Sequence, residues 1–418
     1  MGFAEKMFKG DRTIWLIFAL LSIVSVIEFF SSSSALSYKS ADHWTPLSKH
    51  ILMIFLGFIA MLIVQTKRVN DLKFYLVFLL GPVAILTLLW VSLKGGEING
   101  ASRWLSIPGT GFTFQPSELA KMWLISFTAF VLHRNNRINK KRNDYKALII
   151  IGGATLLTTG LILRENFSTA LLLAATIFIM LILGRIKAKY LITIVTGASL
   201  LVACGYLALR AYPDQKLFHR GSTWMARIDQ MGADEKVPPA MYDMDKNAQR
   251  GHASIAITKG GLLGVGPGNS VQRDFLSHAY SDLIFAIILE EFGLLGGGFI
   301  IYLYLLLLFR VANISRRTDS IFATLLIQGL VLIIFLQAMI NIMVAVDIIP
   351  ITGQPLPFIS KGGSSMIINS VALGVILSVS YKREKTTSAE EETKDKVETE
   401  ITNSPNSLVE TQARLENR

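Results

Sequence analysis

The chain has 418 residues, of which 51% are hydrophobic and 17% charged, with a mean hydropathy of +0.47. A soluble protein of this size would expose too much apolar surface, so the composition implies a polytopic membrane protein organised as one helical unit. The net charge of +11 sits in short loops between apolar runs, which argues for membrane orientation and against a nucleic-acid partner. The single Cys204, in an apolar stretch, allows neither an intrachain disulfide nor a cysteine metal site.

The first apolar run, Ile14 to Phe30, follows Lys6, Lys9 and Arg12 and precedes Ser31 to Ala35, an arrangement like a cleavable signal. It exceeds the ~7–15 residues of a signal core, so an uncleaved first span is expected. Runs near the ~20 residues a span requires recur at 13–33, 48–65, 72–93, 116–133, 147–163, 168–184, 190–210, 282–309, 320–342 and 364–381. The expected fold is therefore all-α, with about ten transmembrane helices in one domain over 1–385. A disordered Glu-, Lys-, Thr- and Ser-rich tail covers 386–418.

Five basic groups fall on one side of such a bundle. They are Lys67, Arg68 and Lys73; Arg134 to Lys146; Arg185, Lys187 and Lys189; Arg310, Arg316 and Arg317; and Lys382, Arg383 and Lys385. The positive-inside rule makes that side the cytoplasm, with both termini inside. The other side receives 34–47, 94–115, 211–281 and 343–363, the third being a long loop between helices 7 and 8.

Ionisable residues inside or beside these spans are the candidates for chemistry. Gln115-Pro116-Ser117-Glu118 opens a span, and Glu118 and Lys121 share a helix face at i, i+3; they form either a capped, charged helix start or part of a cavity. Arg103 beside Trp104 has the planar fork for a phosphate and equally suits an interfacial anchor. At Arg164 to Thr169, turn chemistry with capping by Ser168 or Thr169 is expected.

Gln249 lies in the long loop ahead of a glycine-dense stretch, 260–268, that fits no P-loop or dinucleotide fingerprint. His252 and His278 show no metal-ligand spacing. Asp282 stands where the loop meets an apolar span; it either caps that helix or acts as a partly desolvated base, and the two roles are compatible. Glu290 and Glu291 follow two turns on and call for a buried Lys or Arg. Three prolines across 350–357 lead to Ser360, Lys361 and Gly362-Gly363-Ser364-Ser365, whose backbone and hydroxyls could hold an anion.

Taken together and in order, Gly100-Ala101-Ser102-Arg103-Trp104, Gln115-Pro116-Ser117-Glu118 with Lys121, Gln249, 260–266, Asp282 to Gly293, and Leu356 to Ser365 resemble the SEDS family of peptidoglycan polymerases (FtsW, RodA and SpoVE). Gln337 to Ile342 is closer to the division (FtsW) branch than to the elongation (RodA) branch. Tyr280 stands where relatives often have His, Lys361 where they have Tyr, and Arg164 to Thr169 where they carry Gln-Pro-Asp-x-Gly-Thr.

The resemblance implies a glycosyltransferase that polymerises lipid II into β-1,4 glycan strands for septal wall synthesis and releases undecaprenyl pyrophosphate. It implies Asp282 as catalytic base, with Arg103, Glu118, Lys121, Gln249, Ser360, Lys361 and Ser364 around the lipid-linked substrate. No organic cofactor is expected, whereas a divalent cation (Mg2+ or Mn2+) could assist the departing pyrophosphate. The implied partners are lipid II, undecaprenyl-linked glycan, a class B penicillin-binding protein (an FtsI-like transpeptidase) and other divisome proteins. The implied location is the bacterial inner membrane, with the active site on its extracytoplasmic face. An elongation polymerase, a lipid II flippase and a division scaffold are the alternatives.

Overall fold

The computed structural model describes residues 7–32, 44–94, 96–98, 101–106, 113–136, 142–163, 166–211, 244–276, 281–350 and 352–381. The expected tail at 386–418 and most of the 211–243 stretch lie outside the described residues.

The expected segments each coincide with a helix. α1 is Arg12–Ser32 and α2 is Trp44–Val64. α3 starts as Val69–Phe74, widens into a π turn at Tyr75–Leu79 and continues as Leu80–Lys94. α4 is Pro116–Asn135, with Pro116 in the first turn, where its missing N–H costs nothing. α5 is Asp144–Leu163, α6 Phe167–Leu183 and α7 Ala188–Ala211.

One helix was not foreseen: α8, Met244–Gly260, lies inside the region read as loop. α9 (Ile284–Arg316), α10 (Ile321–Ala345) and α11 (Ser364–Tyr381) complete the bundle. A small antiparallel ribbon, β1 (Gly96–Ile98), β2 (Ala101–Ser106) and β3 (Thr113–Phe114), joins α3 to α4.

Among the described residues seven helices, namely α1, α2, α3, α5, α9, α10 and α11, are long and apolar enough to cross a membrane. The remaining expected spans are α4, which carries Glu118, Lys121, His133 and Arg134, and the apolar helices α6 and α7. The chain is a multi-pass membrane protein.

α10 is the central post, packed against α9, α4 and α6, and α1 lies along α9. α11 is buried against α2, where Gly57 and Gly374 admit Ser370 and Met61. The outward surfaces are apolar, as lipid contact requires: Leu86, Leu156, Leu171 and Phe309 are all exposed.

The basic turns gather at one end. There Asn136 donates to the Gly184 carbonyl (3.0 Å), Asp144 accepts from Arg142 (2.6 Å) and the Lys187 N–H (3.3 Å), and Ser378 reaches the Lys67 carbonyl (2.6 Å). Asp282 and the 346–363 loop occupy the opposite end.

Candidate active site

Three helix starts and one proline-rich loop build the Asp282 end. The loop between α10 and α11 is held from several sides. Ser25 donates to the Ile359 carbonyl (2.8 Å), Tyr304 donates to the Pro357 carbonyl, and the Leu356 N–H donates to Ser360 Oγ (2.7 Å). Phe358 sits at φ +66°, in the left-handed region that costs a non-glycine residue roughly 1–2 kcal/mol. Its ring is buried edge-on against Phe18 at 5.8 Å, and that packing holds the strained turn in place.

The strained loop presents Ser360, whose hydroxyl donates to the Ser281 carbonyl (2.7 Å). Ser281 Oγ in turn donates to Asp282 Oδ1 (2.9 Å). From α10, Asn341 Nδ2 donates to the carbonyls of Asp282 (2.9 Å) and Gln354 (2.8 Å). Asp282 is not the helix cap. That position belongs to Leu283, which makes no side-chain cap bond. It stays half-buried.

Glu118 and Lys121 form their expected pair at 2.8 Å, and both side chains are buried, at 4% and 5% exposure. Lys121 also donates to Gln337 Oε1 (2.9 Å), and Gln337 Nε2 donates to the Pro355 carbonyl (2.9 Å). Gln354 Nε2 reaches Thr169 Oγ1 on α6 (2.6 Å). α6 is capped by Asn166, which accepts from the Thr169 N–H (3.2 Å), rather than by Ser168 or Thr169. One polar network therefore runs from α4 through α10 and the proline loop to Asp282 and α6. Within it Glu118 Oε2 and Asn341 Oδ1 are buried without a partner, so the network has acceptor capacity left over.

The expected site residues distribute as follows. Asp282, Glu118, Lys121 and Ser360 belong to this network. Ser364 sits beside it, accepting from the Gln115 N–H at the start of α4 (3.1 Å). Lys361 lies apart: its ammonium stands 5.8 Å from the Phe29 ring, which stacks on His50 at 4.4 Å. Partial burial, and then the nearby charge of Lys49, hold its pKa below the usual lysine value.

Gln249 is half-buried on α8. Arg103 is on β2, and its side chain, like Glu165 and His278, lies outside the described residues. Sequence reasoning gave no role in the site to Gln337, Asn341, Gln354 or Thr169. The i, i+4 spacing of Gln337 and Asn341 in an apolar helix was the available signal. Among the described residues no group of three or more His, Cys, Asp or Glu side chains is placed to hold a metal.

Residues 11–385 match the protein family described as "Cell cycle protein", that of FtsW, RodA and SpoVE. The chain belongs to this family. It is 29% identical over 385 residues to the probable peptidoglycan glycosyltransferase FtsW of Coxiella burnetii, covering 88% of this chain and 96% of that one. To the protein of the same description from Geobacter sp. (strain M18) it is 30% identical over 377 residues, covering 89% and 97%.

Two solved structures share the fold. One is a chain of a peptidoglycan synthase complex that coordinates polymerization and crosslinking (TM-score 0.70, 22% identity, 90% of this chain and 98% of that one). The other is the rod-shape-determining protein RodA of Thermus thermophilus (TM-score 0.62, 22% identity, 90% and 97%).

Proposed function

We propose that this FtsW/RodA/SpoVE family member polymerises lipid II into β-1,4 glycan strands for the division septum, with Asp282 as general base. One observation carries the assignment of the base. Asp282 is fixed through its backbone carbonyl by Asn341 and through its neighbour by Ser360, at the half-buried start of α9 where the outer loop meets the bundle. A base held by its main chain is positioned by bonds that do not depend on its carboxylate.

Asp282 takes the proton of the acceptor sugar's 4-hydroxyl as that oxygen attacks the anomeric carbon of the lipid-linked donor. The carbon–oxygen bond to the diphosphate breaks, undecaprenyl diphosphate leaves, and the configuration inverts from α to β. Positioned base catalysis contributes about 10²–10⁴-fold.

Lys121, with its ammonium divided between Glu118 and Gln337, and the exposed Lys361 supply positive charge toward the leaving diphosphate, as does Arg103. A divalent cation carried by the diphosphate would meet Glu118 Oε2, the buried oxygen left without a protein partner, and would add charge neutralisation there. α7 touches α6 and turns Ile192, Leu200 and Leu201 outward, an apolar flank suited to a prenyl chain.

On this reading both termini are cytoplasmic, the Asp282 end faces outward, and a class B penicillin-binding protein crosslinks the product. The test is strand formation from fluorescent lipid II by the full chain with its cognate transpeptidase, wild type against Asp282→Ala. Polymer from wild type alone supports the base. Polymer from both moves the base elsewhere, and polymer from neither, with lipid II transport intact, favours a flippase.

A further inference from the structure

α9 is not one helix. Gly293, at φ +67° and ψ −169°, interrupts it and separates a buried nine-residue limb, 284–292, from the long limb 294–316. A break at membrane depth leaves carbonyls without donors on one side and N–H groups without acceptors on the other. The glycine-rich segment 261–272 fills both needs. The N–H groups of Val265 and Gly266 donate to the carbonyls of Glu290 (3.0 Å) and Glu291 (2.9 Å). The carbonyls of Gly261 and Leu262 accept from Leu294 (3.0 Å) and Leu295 (3.2 Å). So close an approach excludes a side chain at Gly264, whose added Cβ would lie 2.1 Å from the Glu291 carbonyl oxygen.

The two adjacent carboxylates lock the same strap. Glu290 accepts from the N–H groups of Val271 (3.1 Å) and Gln272 (3.2 Å) and from the Ser270 hydroxyl, and it pairs with Lys259 of α8 at 3.3 Å. Glu291 accepts from the N–H groups of Gly268 (3.0 Å) and Ser270 (3.4 Å) and from the Ser31 hydroxyl of α1. Arg273 ties the strap to Ser31 (3.0 Å), and Gln272 bonds His252 of α8 (2.8 Å). Both glutamates are fully buried.

From this geometry we infer that Glu290 and Glu291 are positioning residues for Asp282. They clamp the strap into the break of α9, so that α8, the strap and the limb that begins just after Asp282 form one rigid body anchored on α1. Neither glutamate touches substrate. Their role is to fix where the base stands relative to α8, which carries Gln249. The inference rests on the polymerase reading, and its test separates the two.

The full chain with its transpeptidase is prepared as wild type, Glu291→Ala, Gly264→Ala and the double variant. Hydrogen exchange over 264–276 reads the clamp without any turnover. In both single variants the strap loses protection and kcat falls roughly 10–100-fold, the scale of a misplaced catalytic group, while KM stays within about threefold. Because both changes release one element, the double variant is no slower than the worse single, rather than multiplicatively slower.

A strap that stays protected in both variants, or one that opens with kcat unchanged, overturns the clamp. So do kcat losses that multiply. An inactive wild type in a validated assay overturns the polymerase reading instead and leaves the exchange result to judge the clamp. Should the alanine variants fail to fold, Ser270→Ala removes one donor to Glu290 in a smaller change. A several-fold loss of kcat with KM unchanged is then expected, and an unchanged kcat refutes the proposal.

Discussion

Two buried polar clusters sit at the same end of the bundle and are built on opposite terms. Around Asp282, among the described residues, the Glu118–Lys121 pair and a series of amides and hydroxyls leave Glu118 Oε2 and Asn341 Oδ1 without partners. Around the break in α9, all four carboxylate oxygens of Glu290 and Glu291 accept hydrogen bonds. Buried polar groups are normally satisfied, so the saturated oxygens of Glu290 and Glu291 mark a structural fastening. Glu28 beside Glu291 is nevertheless buried with both its oxygens unpartnered, and the spare acceptors near Asp282 leave room for a further donor. On the polymerase reading, the contrast separates the part of the fold that would handle substrate from the part that holds it still.

The largest test of that contrast is Asp282→Ala. It should reduce strand formation by about 10²–10⁴-fold while leaving the melting temperature near that of wild type, because the Asn341 bond goes to the Asp282 main chain. A large drop in melting temperature would make Asp282 another fastening.

Next in size is Lys121→Ala, which leaves Glu118 buried with no cation. Removing one member of a buried pair costs about 3–5 kcal/mol, to be read from denaturation in detergent. Combining it with Glu118→Gln should restore most of the stability and none of the polymerisation. Recovery of activity would place the pair outside the site.

Asn341→Ala removes the donor shared by the Asp282 and Gln354 carbonyls. The expected cost is about 1–3 kcal/mol, together with a fall in kcat. Loss of stability with kcat intact would assign Asn341 to the scaffold.

The smallest effect concerns Lys361. Its folded-state pKa is lowered by burial and Lys49, so its charged form is less favourable in the folded protein than in the unfolded chain. That penalty is complete below the folded pKa and fades as pH rises toward the unfolded value near ~10.4. Lys361→Met should therefore melt slightly higher than wild type at neutral pH, with the difference shrinking as pH rises through the alkaline range. A difference that grows with pH would contradict the assignment.

Much of this was legible in the sequence because hydropathy and charge are local signals. The apolar runs marked the helices, and Asp282, Glu118, Lys121, Glu290 and Glu291 stood out as ionisable groups in or beside them. A buried Lys or Arg was expected for both glutamates; Glu290 instead pairs with the partly exposed Lys259, and Glu291 accepts from N–H groups and the Ser31 hydroxyl.

What escaped depends on contacts between distant segments. Gln354 meets Thr169 across 185 positions and Lys121 meets Gln337 across 216, and neutral amides carry no sequence mark of such pairings. Capping at Asp282 failed for a different reason. The helix starts at Ile284, two residues later than the polar-to-apolar boundary suggested. α8 was read as loop because its sequence is polar, and helical order there comes from packing against α9.

The break at Gly293 also bears on how the protein meets bilayers of different thickness. The long limb 294–316 spans roughly 34 Å at 1.5 Å per residue, and a helix of that length answers a thicker or thinner bilayer by changing its tilt. The short limb next to Asp282 is buried, and the long limb is tied to it through the Leu294 and Leu295 bonds to the strap. No continuous helical ladder between the limbs carries the tilt directly. Turnover in vesicles of short-chain and long-chain lipids should therefore vary little, because the base rides on the protein's own frame instead of on the membrane's.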